Sequence, residues 1–376
     1  MKRVLHVFSS LNKGGAESRV MDLYRLLDKM EVQFDFAVTS AGDGFYADEI
    51  RSMGGNIYVI PSWHDVGVIG WLQAWKKVFA SACLVHSHTG FDSGIIAFVA
   101  WSFGVKKRIS HARDMLPVSG RFGKIRESVL RQMMSWFSTD LIACSHESGE
   151  FIFGKHTMAK RGIFLPNAID LDQYQEEPFD RDAYRENLGV AKDALLIGTV
   201  GNLREVKNQK FMIDILATFY QHHQSAELII AGEGEMRQSL TAYAEHLHMD
   251  AYVHLLGQRH DIKQLLRCMD VFLMTSFSEG LPGSAVEAQC MNIPCVLSSA
   301  ITRDVDAQSG LVCFVSLDSA PEVWMNQILE QASTPKPDRR ETLRLLREKN
   351  FDVHESLKKL LSVYFDGETS FADEGI

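Results

Sequence analysis

The sequence predicts an α/β protein with two doubly wound parallel sheets, one in each half of the chain. Short apolar runs alternate with helical patterns in both halves, which is typical of a parallel sheet that helices cover on both faces. A charged, proline-containing segment interrupts the alternation, which resumes at Leu195. A chain of 376 residues is also long enough for two domains that each bury a core.

The first half shows a regular series of apolar runs. Strands are predicted at residues 4–8, 34–38, 57–60, 84–86, 108–110 and 141–144. The first helix is predicted at residues 16–30, after a loop that contains two glycines. We place the first domain at residues 1–170, because the regular alternation ends there and a linker up to about position 190 follows.

The second half repeats this organisation without a detailed sequence repeat. Strands are predicted at residues 195–200, 227–231, 253–256, 271–274, 294–297 and 312–315, and helices at 320–332 and 338–365. The second domain is placed at 190–351, and the final helix, at about 352–376, is expected to pack on the first domain. Ligands of such sheets bind outside the carboxyl ends of the strands, so a cleft between the domains is the expected active site.

Composition and charge exclude several classes of protein. The formal net charge of −9 argues against general nucleic-acid binding, which requires a basic surface. The six cysteines form no C-x-x-C pair, so reduced thiols are expected. The N-terminus enters a strand pattern without a signal peptide, and the longest apolar run is too short to span a membrane. We therefore expect a soluble, cytoplasmic protein.

Most of the chemistry is concentrated in residues 275–294. This segment follows an apolar strand, opens as a loop of Ser, Glu, Gly and Pro, and enters a helix, with Glu279 and Glu287 on either side of the helix start. Free backbone N–H groups and the helix dipole make such a start a site for an anion. Two simpler interpretations stay open: Ser284 and Glu287 have the spacing of a capping box, and Glu279 could be merely exposed.

Two other strand-to-helix loops carry candidate residues. Gly14 and Gly15 follow the first strand, where the missing side chains would let the backbone approach a phosphate or a sugar, or would serve the turn alone. Residues 201–208 follow the strand at 195–200 and contain Arg204 and Lys207, which suit a diphosphate or a solvated loop equally well. The Gly14 loop does not match the dinucleotide fingerprint G-x-G-x-x-G. Gly232 and Gly234, which follow the strand at 227–231, do not complete it either, because position 237 is Arg.

Histidines lie at the ends of two predicted strands of the first half. His86 and His88 form an H-x-H pair, and His111 lies at the end of the strand at 108–110. These rings with Asp114 could hold zinc, as in a zinc hydrolase. Alternatively, the ring of His111 donates a hydrogen bond to a hydroxyl or phosphate group of a ligand, while His86 is a structural histidine.

Residues 104–131 form a basic segment. They contain eight Lys or Arg side chains against two acidic ones, a net charge of +6. Apolar residues recur at helical spacing within and after the segment, at Phe122, Ile125, Val129, Met133 and Trp136. A helix of this kind either lies on an anionic membrane surface or packs its apolar face on the core with a solvated basic face.

In their order along the chain, these motifs resemble the retaining glycosyltransferases of the large GT4 family, which have the two-Rossmann GT-B fold. Residues 14–17 resemble the family's glycine loop, 166–170 its P-N-G-[IV]-D segment, and 201–208 its phosphate loop. Glu279 and Glu287 fit its E-x7-E signature. The second half is similar in style to bacterial exopolysaccharide and capsule enzymes.

The resemblance implies a nucleotide-sugar donor, with UDP the commonest nucleotide in comparable enzymes. Glu287 would bind the ribose hydroxyls, Glu279 a sugar hydroxyl and Lys207 the diphosphate. Backbone amides around Gly280 and Leu281 would help to hold the donor. The acceptor would be a saccharide or a lipid-linked saccharide, and the transferred group a hexose.

The first domain would contribute two further groups, and the sequence departs from the family at two other positions. Gly15 would close on the donor from the facing domain, and His111 would lie near the transferred sugar. The family usually has Arg where this chain has Asn202, so Arg204 would have to supply the missing charge. The glycine of the family's 166–170 segment is Ala168 here.

The mechanism implied by the resemblance needs no metal ion and no cofactor. Lys207, Arg204 and the helix start would stabilise the charge that develops on the leaving phosphate. Both Glu residues are assigned to donor binding, so attack on the same face through an oxocarbenium-like state is expected. The alternatives are a related sugar-nucleotide epimerase or phosphorylase, and a nucleotide-sugar-binding subunit with little catalysis.

Overall fold

The computed structural model describes residues 1–12, 14–40, 42, 44–174 and 178–365. The first of two compact units comprises Met1–Ala168 and the segment from Asp352 onward. Its sheet has seven strands in the order β3-β2-β1-β4-β5-β6-β7, and every pair is parallel. The strands are β1 (Lys2–Phe8), β2 (Val32–Val38), β3 (Ile57–Val59), β4 (Leu84–Ser87), β5 (Lys107–Ala112), β6 (Asp140–Ala143) and β7 (Gly162–Phe164).

Helices connect these strands and bury the sheet between apolar layers. They are α1 (Gly15–Leu26), α2 (Ala47–Ser52), α3 (Trp63–Phe79), α4 (Ser93–Ser102), α5 (Gly123–Phe137), α6 (His146–Phe153) and α7 (Lys155–Arg161). Helix α1 ends before the predicted position 30, because Leu27 is extended and a turn from Asp28 leads into β2. Strand β7 was not predicted, since it is only three half-buried residues long and begins with glycine.

The second unit, Ile169–Phe351, has six parallel strands in the order β10-β9-β8-β11-β12-β13. The strands are β8 (Leu195–Val200), β9 (Ala226–Ala231), β10 (Val253–Gly257), β11 (Val271–Met274), β12 (Cys295–Ser298) and β13 (Val312–Val315). The helices are α8 (Arg181–Asn187), α9 (Gln209–Gln221), α10 (Arg237–His246), α11 (Ile262–Cys268), α12 (Gly283–Cys290), α13 (Pro321–Ser333) and α14 (Arg339–Glu348). The prediction of two parallel-sheet α/β domains is therefore confirmed.

The helical pattern at 338–365 forms two helices rather than one. After α14, Asn350 takes a left-handed φ of 62° and Phe351 is fully buried. A new helix, α15 (Val353–Tyr364), then begins, and the Asp352 side chain accepts a hydrogen bond from the His354 backbone N–H. The buried residues of α15 belong to the core of the first unit, against α1. Positions 366–376 of the predicted final helix lie outside the described residues.

Two further expectations concern cysteines and membrane spans. None of the six cysteines, all of which the structure describes, forms a disulfide. Within the described ranges, no helix has both the length and the hydropathy that crossing a bilayer requires.

Each sheet has one point at which the strand order reverses, and this point positions the candidate residues. The reversal lies between β1 and β4 in the first unit and between β8 and β11 in the second. Loops that follow strands on either side of a reversal diverge and leave a crevice, where ligands of doubly wound sheets bind. The segments after β8 and β11 are residues 201–208 and 275–282, which are the two loops selected from the sequence.

Candidate functional site

Backbone hydrogen bonds join the loop after β8 to the segment that follows β9. The Leu203 N–H donates to the Glu233 carbonyl at 2.9 Å, and the Met236 N–H donates to the Leu203 carbonyl at 3.1 Å. This close approach explains the two glycines at 232 and 234, since a Cβ at either position would lie within 2.3 Å of a backbone oxygen of the loop. The glycines fix the shape of the loop instead of forming a dinucleotide fingerprint.

The second loop is joined to the first and brings Glu279 to Lys207. The Phe277 N–H donates to the Val206 carbonyl at 2.9 Å, and the Thr275 hydroxyl donates to the Asn208 carbonyl at 2.9 Å. Lys207 Nζ lies 2.5 Å from Glu279 Oε1, and the Ser276 hydroxyl donates to the same oxygen at 2.7 Å.

This geometry decides between the interpretations of Glu279. Its side chain is only 12% exposed, so the interpretation as a merely exposed residue is wrong. A carboxylate buried to this degree requires a partner, and Lys207 and Ser276 supply it. The sequence did not single out Ser276, although its position three residues before Glu279 on the same loop was visible.

Helix α12 begins differently from the predicted capping box. Its N-cap is Pro282, which makes no side-chain cap. The capping-box interpretation of Ser284 and Glu287 is therefore wrong, because Ser284 already lies inside the helix. Glu287 is buried on α12, and Gly280 and Leu281 are buried in the loop before it.

Asn202 and Arg204 lie on the same loop as Lys207, and both are exposed. The Asn202 carbonyl accepts hydrogen bonds from Gln209 Nε2 and from the Arg204 N–H, both at 3.0 Å, so the backbone is fixed while the side chains face solvent. Among the described residues, no hydrogen bond or ion pair joins the Arg204 guanidinium to Lys207 or Glu279. That Arg204 replaces the arginine expected at 202 stays a prediction.

Gly15 is the first residue of α1. The preceding N-cap, Gly14, makes no side-chain cap, and a Cβ built on Gly15 meets none of the described atoms within 4 Å. The space beside Gly15 is therefore open. A Cβ on Gly14 would instead lie 2.4 Å from the carboxylate of Glu17, whose pKa is raised by burial.

The histidines of the first unit form a buried group at the reversal between β1 and β4. His6 and His86 are register partners, and His88 and His111 complete the group from the end of β4 and from β5. His86 Nε2 lies 3.0 Å from His111 Nδ1, and His6 Nδ1 lies 3.0 Å from His88 Nε2. His6 was missed from the sequence because it occurs alone within an apolar strand.

Two polar side chains complete this histidine group. The Tyr364 hydroxyl, on α15, lies 2.6 Å from His86 Nδ1. Arg113 Nε donates to His88 Nδ1 at 3.0 Å, and its Nη1 donates to Asn167 Oδ1 at 2.6 Å. Neither Tyr364 nor Asn167 could be connected with the histidines from the sequence, since they lie far away along the chain.

Burial keeps the four rings neutral. It lowers the pKa of His6 to about 3 and the pKa of each of the other three rings well below 6.5, and the nearby charge of Arg113 acts in the same direction. Burial also lowers the pKa of Arg113 to about 10. Within the described residues, the Nε2 atoms of His6 and His111 are buried without a hydrogen-bond partner. At neutral pH these rings act through hydrogen bonds and not through charge.

A metal ion fits this group poorly. One nitrogen each of His6, His86 and His88 lies within 4.8 Å of the others, so His6, not Asp114, would be the third ligand. However, both nitrogens of His86 and of His88 already have partners, and a metal would have to displace them. The buried guanidinium of Arg113 would also repel a cation. The zinc-hydrolase alternative gains no support from this arrangement.

The basic segment presents an apolar stripe on its surface. Phe122, Ile125, Val129 and Trp136 are 68%, 64%, 54% and 69% exposed, and α5 instead buries Leu130 and Met134. The core-facing interpretation is therefore wrong for these four residues, whereas Met133 is partly buried against the core of the first unit.

Part of the positive charge of the segment is structural. The guanidinium of Arg108 donates to the Phe137 carbonyl, and that of Arg131 donates to the Phe151 carbonyl. Arg121, Lys124 and Arg126 are exposed near the start of α5, beside the apolar stripe, and Arg126 pairs with Asp92 at 2.8 Å.

Comparison with known proteins is consistent with these features. A model of the family described as glycosyl transferases group 1 matches residues 180–304. EpsF of Bacillus subtilis, a protein assigned as a glycosyltransferase, is 35% identical over 369 residues, which cover 96% of either chain. The capsular polysaccharide biosynthesis glycosyltransferase CapH of Staphylococcus aureus is 25% identical over 97% of this chain and 99% of its own.

Among solved structures, HepE of Anabaena in complex with UDP superposes with a TM-score of 0.79. It is 20% identical and is matched over 96% of this chain and 99% of its own. This similarity confirms the predicted GT-B fold.

Proposed function

The chain belongs to the group 1 glycosyltransferases, and we propose that it transfers a hexose from a UDP-sugar to a saccharide or a lipid-linked saccharide during surface polysaccharide synthesis. The main support is the pair of loops at the reversal of the second sheet, which bring Lys207 to within 2.5 Å of Glu279. A cation and a carboxylate in a sheet crevice suit a diphosphate and a sugar hydroxyl, respectively. The UDP complex of HepE and the capsular role of CapH support the donor and the pathway.

In this proposal, the ion pair separates when the donor binds. The diphosphate replaces Glu279 as the partner of Lys207, and the carboxylate of Glu279, still bonded to Ser276, accepts a hydrogen bond from a sugar hydroxyl. Glu287 binds the ribose, and the amides near Gly280 and Leu281 complete the donor site. Because the donor exchanges one partner of Lys207 for another, the charge of Lys207 is compensated in both states.

The proposed reaction retains the configuration of the sugar and requires no metal ion. Lys207 and Arg204 stabilise the charge on the departing phosphate, so the glycosidic bond can break toward an oxocarbenium-like state. The acceptor hydroxyl then attacks from the face that the phosphate leaves, and its proton passes to the departing diphosphate. His111 contributes a hydrogen bond near the transferred sugar.

A product assay tests the proposed function directly. The purified protein would be incubated with UDP-sugars and lipid-linked or free saccharide acceptors, with and without EDTA. We expect UDP release and a glycosylated product only when acceptor is present, and no change with EDTA. An epimer or a sugar phosphate formed without acceptor would instead identify an epimerase or a phosphorylase. Donor binding without turnover on any acceptor would identify a binding subunit, and an effect of EDTA would contradict metal independence.

Replacement of Gly15 by alanine separates function from folding. The added methyl group meets none of the described atoms within 4 Å, so the free energy of unfolding should stay within about 0.5 kcal/mol of the wild type. If a donor group occupies the open space, the KM for the donor should rise by roughly tenfold. Urea denaturation and initial rates measure the two effects. An unchanged KM would exclude Gly15 from the donor site.

We also propose that the protein lies at the cytoplasmic face of a membrane, bound through α5. The exposed apolar stripe would enter the interface, and the cations near the helix start would contact anionic headgroups. An acceptor linked to a lipid would be presented on the same surface. Each Lys or Arg near an anionic membrane contributes about 1 kcal/mol to binding.

Flotation with vesicles containing phosphatidylglycerol tests this membrane binding. The double replacement Lys124→Glu and Arg126→Glu should weaken binding by about tenfold or more. The replacements Lys76→Glu and Lys77→Glu, at exposed positions near the end of α3, alter the net charge equally and should have little effect. Equal loss in both variants would indicate only a general charge effect, and unchanged binding in the first would exclude the α5 surface.

A further inference from the structure

The histidine group contains two chains of hydrogen bonds, and each chain ends on a buried nitrogen. One chain runs from Tyr364 through His86 to His111, and the other from Arg113 through His88 to His6. The end atoms, His111 Nε2 and His6 Nε2, have no hydrogen-bond partner among the described residues. A neutral imidazole carries one proton, so a donor at the head of a chain determines which nitrogen of every following ring is protonated.

The chain from Arg113 shows how this works. A guanidinium can only donate, so His88 Nδ1 must accept and the proton of His88 must lie on Nε2. His88 Nε2 then donates to His6 Nδ1, and His6 carries its own proton on Nε2. No other assignment for two neutral rings satisfies both hydrogen bonds.

The chain from Tyr364 has two possible directions, which differ in the number of unsatisfied groups. If the Tyr364 hydroxyl donates to His86 Nδ1, then His86 Nε2 donates to His111 Nδ1, and only the N–H at His111 Nε2 awaits a partner. In the reverse direction, the hydroxyl proton of Tyr364 has no acceptor among the described residues, and the lone pair at His111 Nε2 is also unsatisfied. Tyr364 is 4% exposed, so each unsatisfied group is costly and the first direction is favoured.

We propose that Tyr364, acting through His86, fixes His111 with its proton on Nε2 and thereby presents a hydrogen-bond donor to an oxygen atom of the bound sugar nucleotide. Tyr364 and His86 are then positioning residues. The proposal rests on the proposed function for the identity of the ligand and for its contact with His111, whereas the direction of the chain follows from the geometry. It also gives α15, which carries Tyr364, a role in preparing the site.

Nuclear magnetic resonance of the full-length protein with 15N-labelled histidine measures the direction without reference to activity. Long-range 1H–15N spectra separate protonated from unprotonated ring nitrogens, and the signals of His111 are assigned by their loss in His111→Asn. We expect a single state with a protonated Nε2 in the wild type. In Tyr364→Phe, whose ring keeps the packing, we expect a mixture of the two tautomers at His111. A wild-type ring protonated on Nδ1, or a spectrum unchanged in Tyr364→Phe, would overturn the proposal.

Kinetics then test whether the fixed proton is used. If only the ring with a proton on Nε2 is active, kcat falls in proportion to the population of that tautomer, so an equal mixture in Tyr364→Phe should lower kcat by about twofold. An asparagine at position 111 carries an amide donor that no tautomer can remove, so Tyr364→Phe should leave kcat unchanged in the His111→Asn background. Equal losses in both backgrounds would mean that Tyr364 has a structural role only, which would also overturn the proposal. Failure of the proposed role of His111 is distinguishable, because His111→Ala would then leave kcat unchanged whatever the spectra show.

Discussion

Replacement of Lys207 by alanine is expected to lower the rate of sugar transfer by about 10²- to 10³-fold. Lys207 is the only cation that the structure, within its described residues, brings to hydrogen-bond distance of Glu279. When the sugar–phosphate bond breaks, charge develops on the diphosphate, and a fixed ammonium group stabilises that charge more than it stabilises the ground state. The loss should therefore fall mainly on kcat and less on the KM for the donor.

The effect is measured by steady-state kinetics with a UDP-sugar and an acceptor. Lys210→Ala is the matched control, because Lys210 is an exposed lysine only three residues further along, at the start of α9. The Lys210→Ala variant should transfer the sugar at nearly the wild-type rate. Comparable rates for Lys207→Ala and Lys210→Ala would refute the assignment of Lys207. Combining Lys207→Ala with Glu279→Gln would show whether an uncompensated carboxylate adds to the loss.

Acidification should destabilise the first unit strongly, since the folded chain keeps four histidines neutral. Their pKa values are lowered by burial, so between pH 6.5 and the folded-state values the unfolded chain binds more protons than the folded chain. Stability is therefore fully present above pH 6.5 and is lost as the pH falls below it. Together, the four rings should lower the free energy of unfolding by about 5 kcal/mol between pH 7 and pH 5.5.

Urea denaturation at a series of pH values measures this decrease. In His6→Phe one of the four rings is missing, so the pH dependence should shrink by about a quarter, although the variant is less stable at pH 7. His222→Gln, at an exposed position after α9, should leave the pH dependence unchanged. Carboxylates with a lowered pKa, such as Asp261 at about 2, contribute only at lower pH. A free energy of unfolding that is constant from pH 7 to pH 5.5 would be inconsistent with buried neutral rings.

Much of the fold could be predicted from the sequence, because strands buried on both faces are continuous apolar runs. The strands at 195–200, 271–274 and 312–315 have the predicted bounds in the structure. The prediction of strands and helices failed where the local sequence pattern does not show what tertiary packing imposes. Strand β7 is too short to form a pattern, and the break between α14 and α15 depends on the burial of Phe351, which helical periodicity does not reveal.

Residues of the candidate site could be predicted within a single loop of the sequence. Contacts that the fold makes between distant parts of the chain could not. Lys207 and Glu279 were each selected from their own loop, but their contact depends on β8 and β11 lying side by side in the sheet. His6 was missed because only the register of the sheet brings it to His88. Tyr364 was missed because only the packing of α15 brings it to His86. The apolar stripe on α5 was recognised, yet its exposure depends on which face of the helix packs against α4.

The position of α15 has a consequence for the synthesis of the protein. The chain leaves the first unit at Ala168 and returns to it only at Asp352, and α15 then packs against α1. A ribosome needs roughly 10 to 40 seconds to add the residues between these two points, at about 5 to 20 residues per second. Throughout this interval the nascent first unit lacks α15, so part of α1 remains uncovered and available to chaperones. The two units therefore become complete in the reverse of their order along the chain, the second before the first.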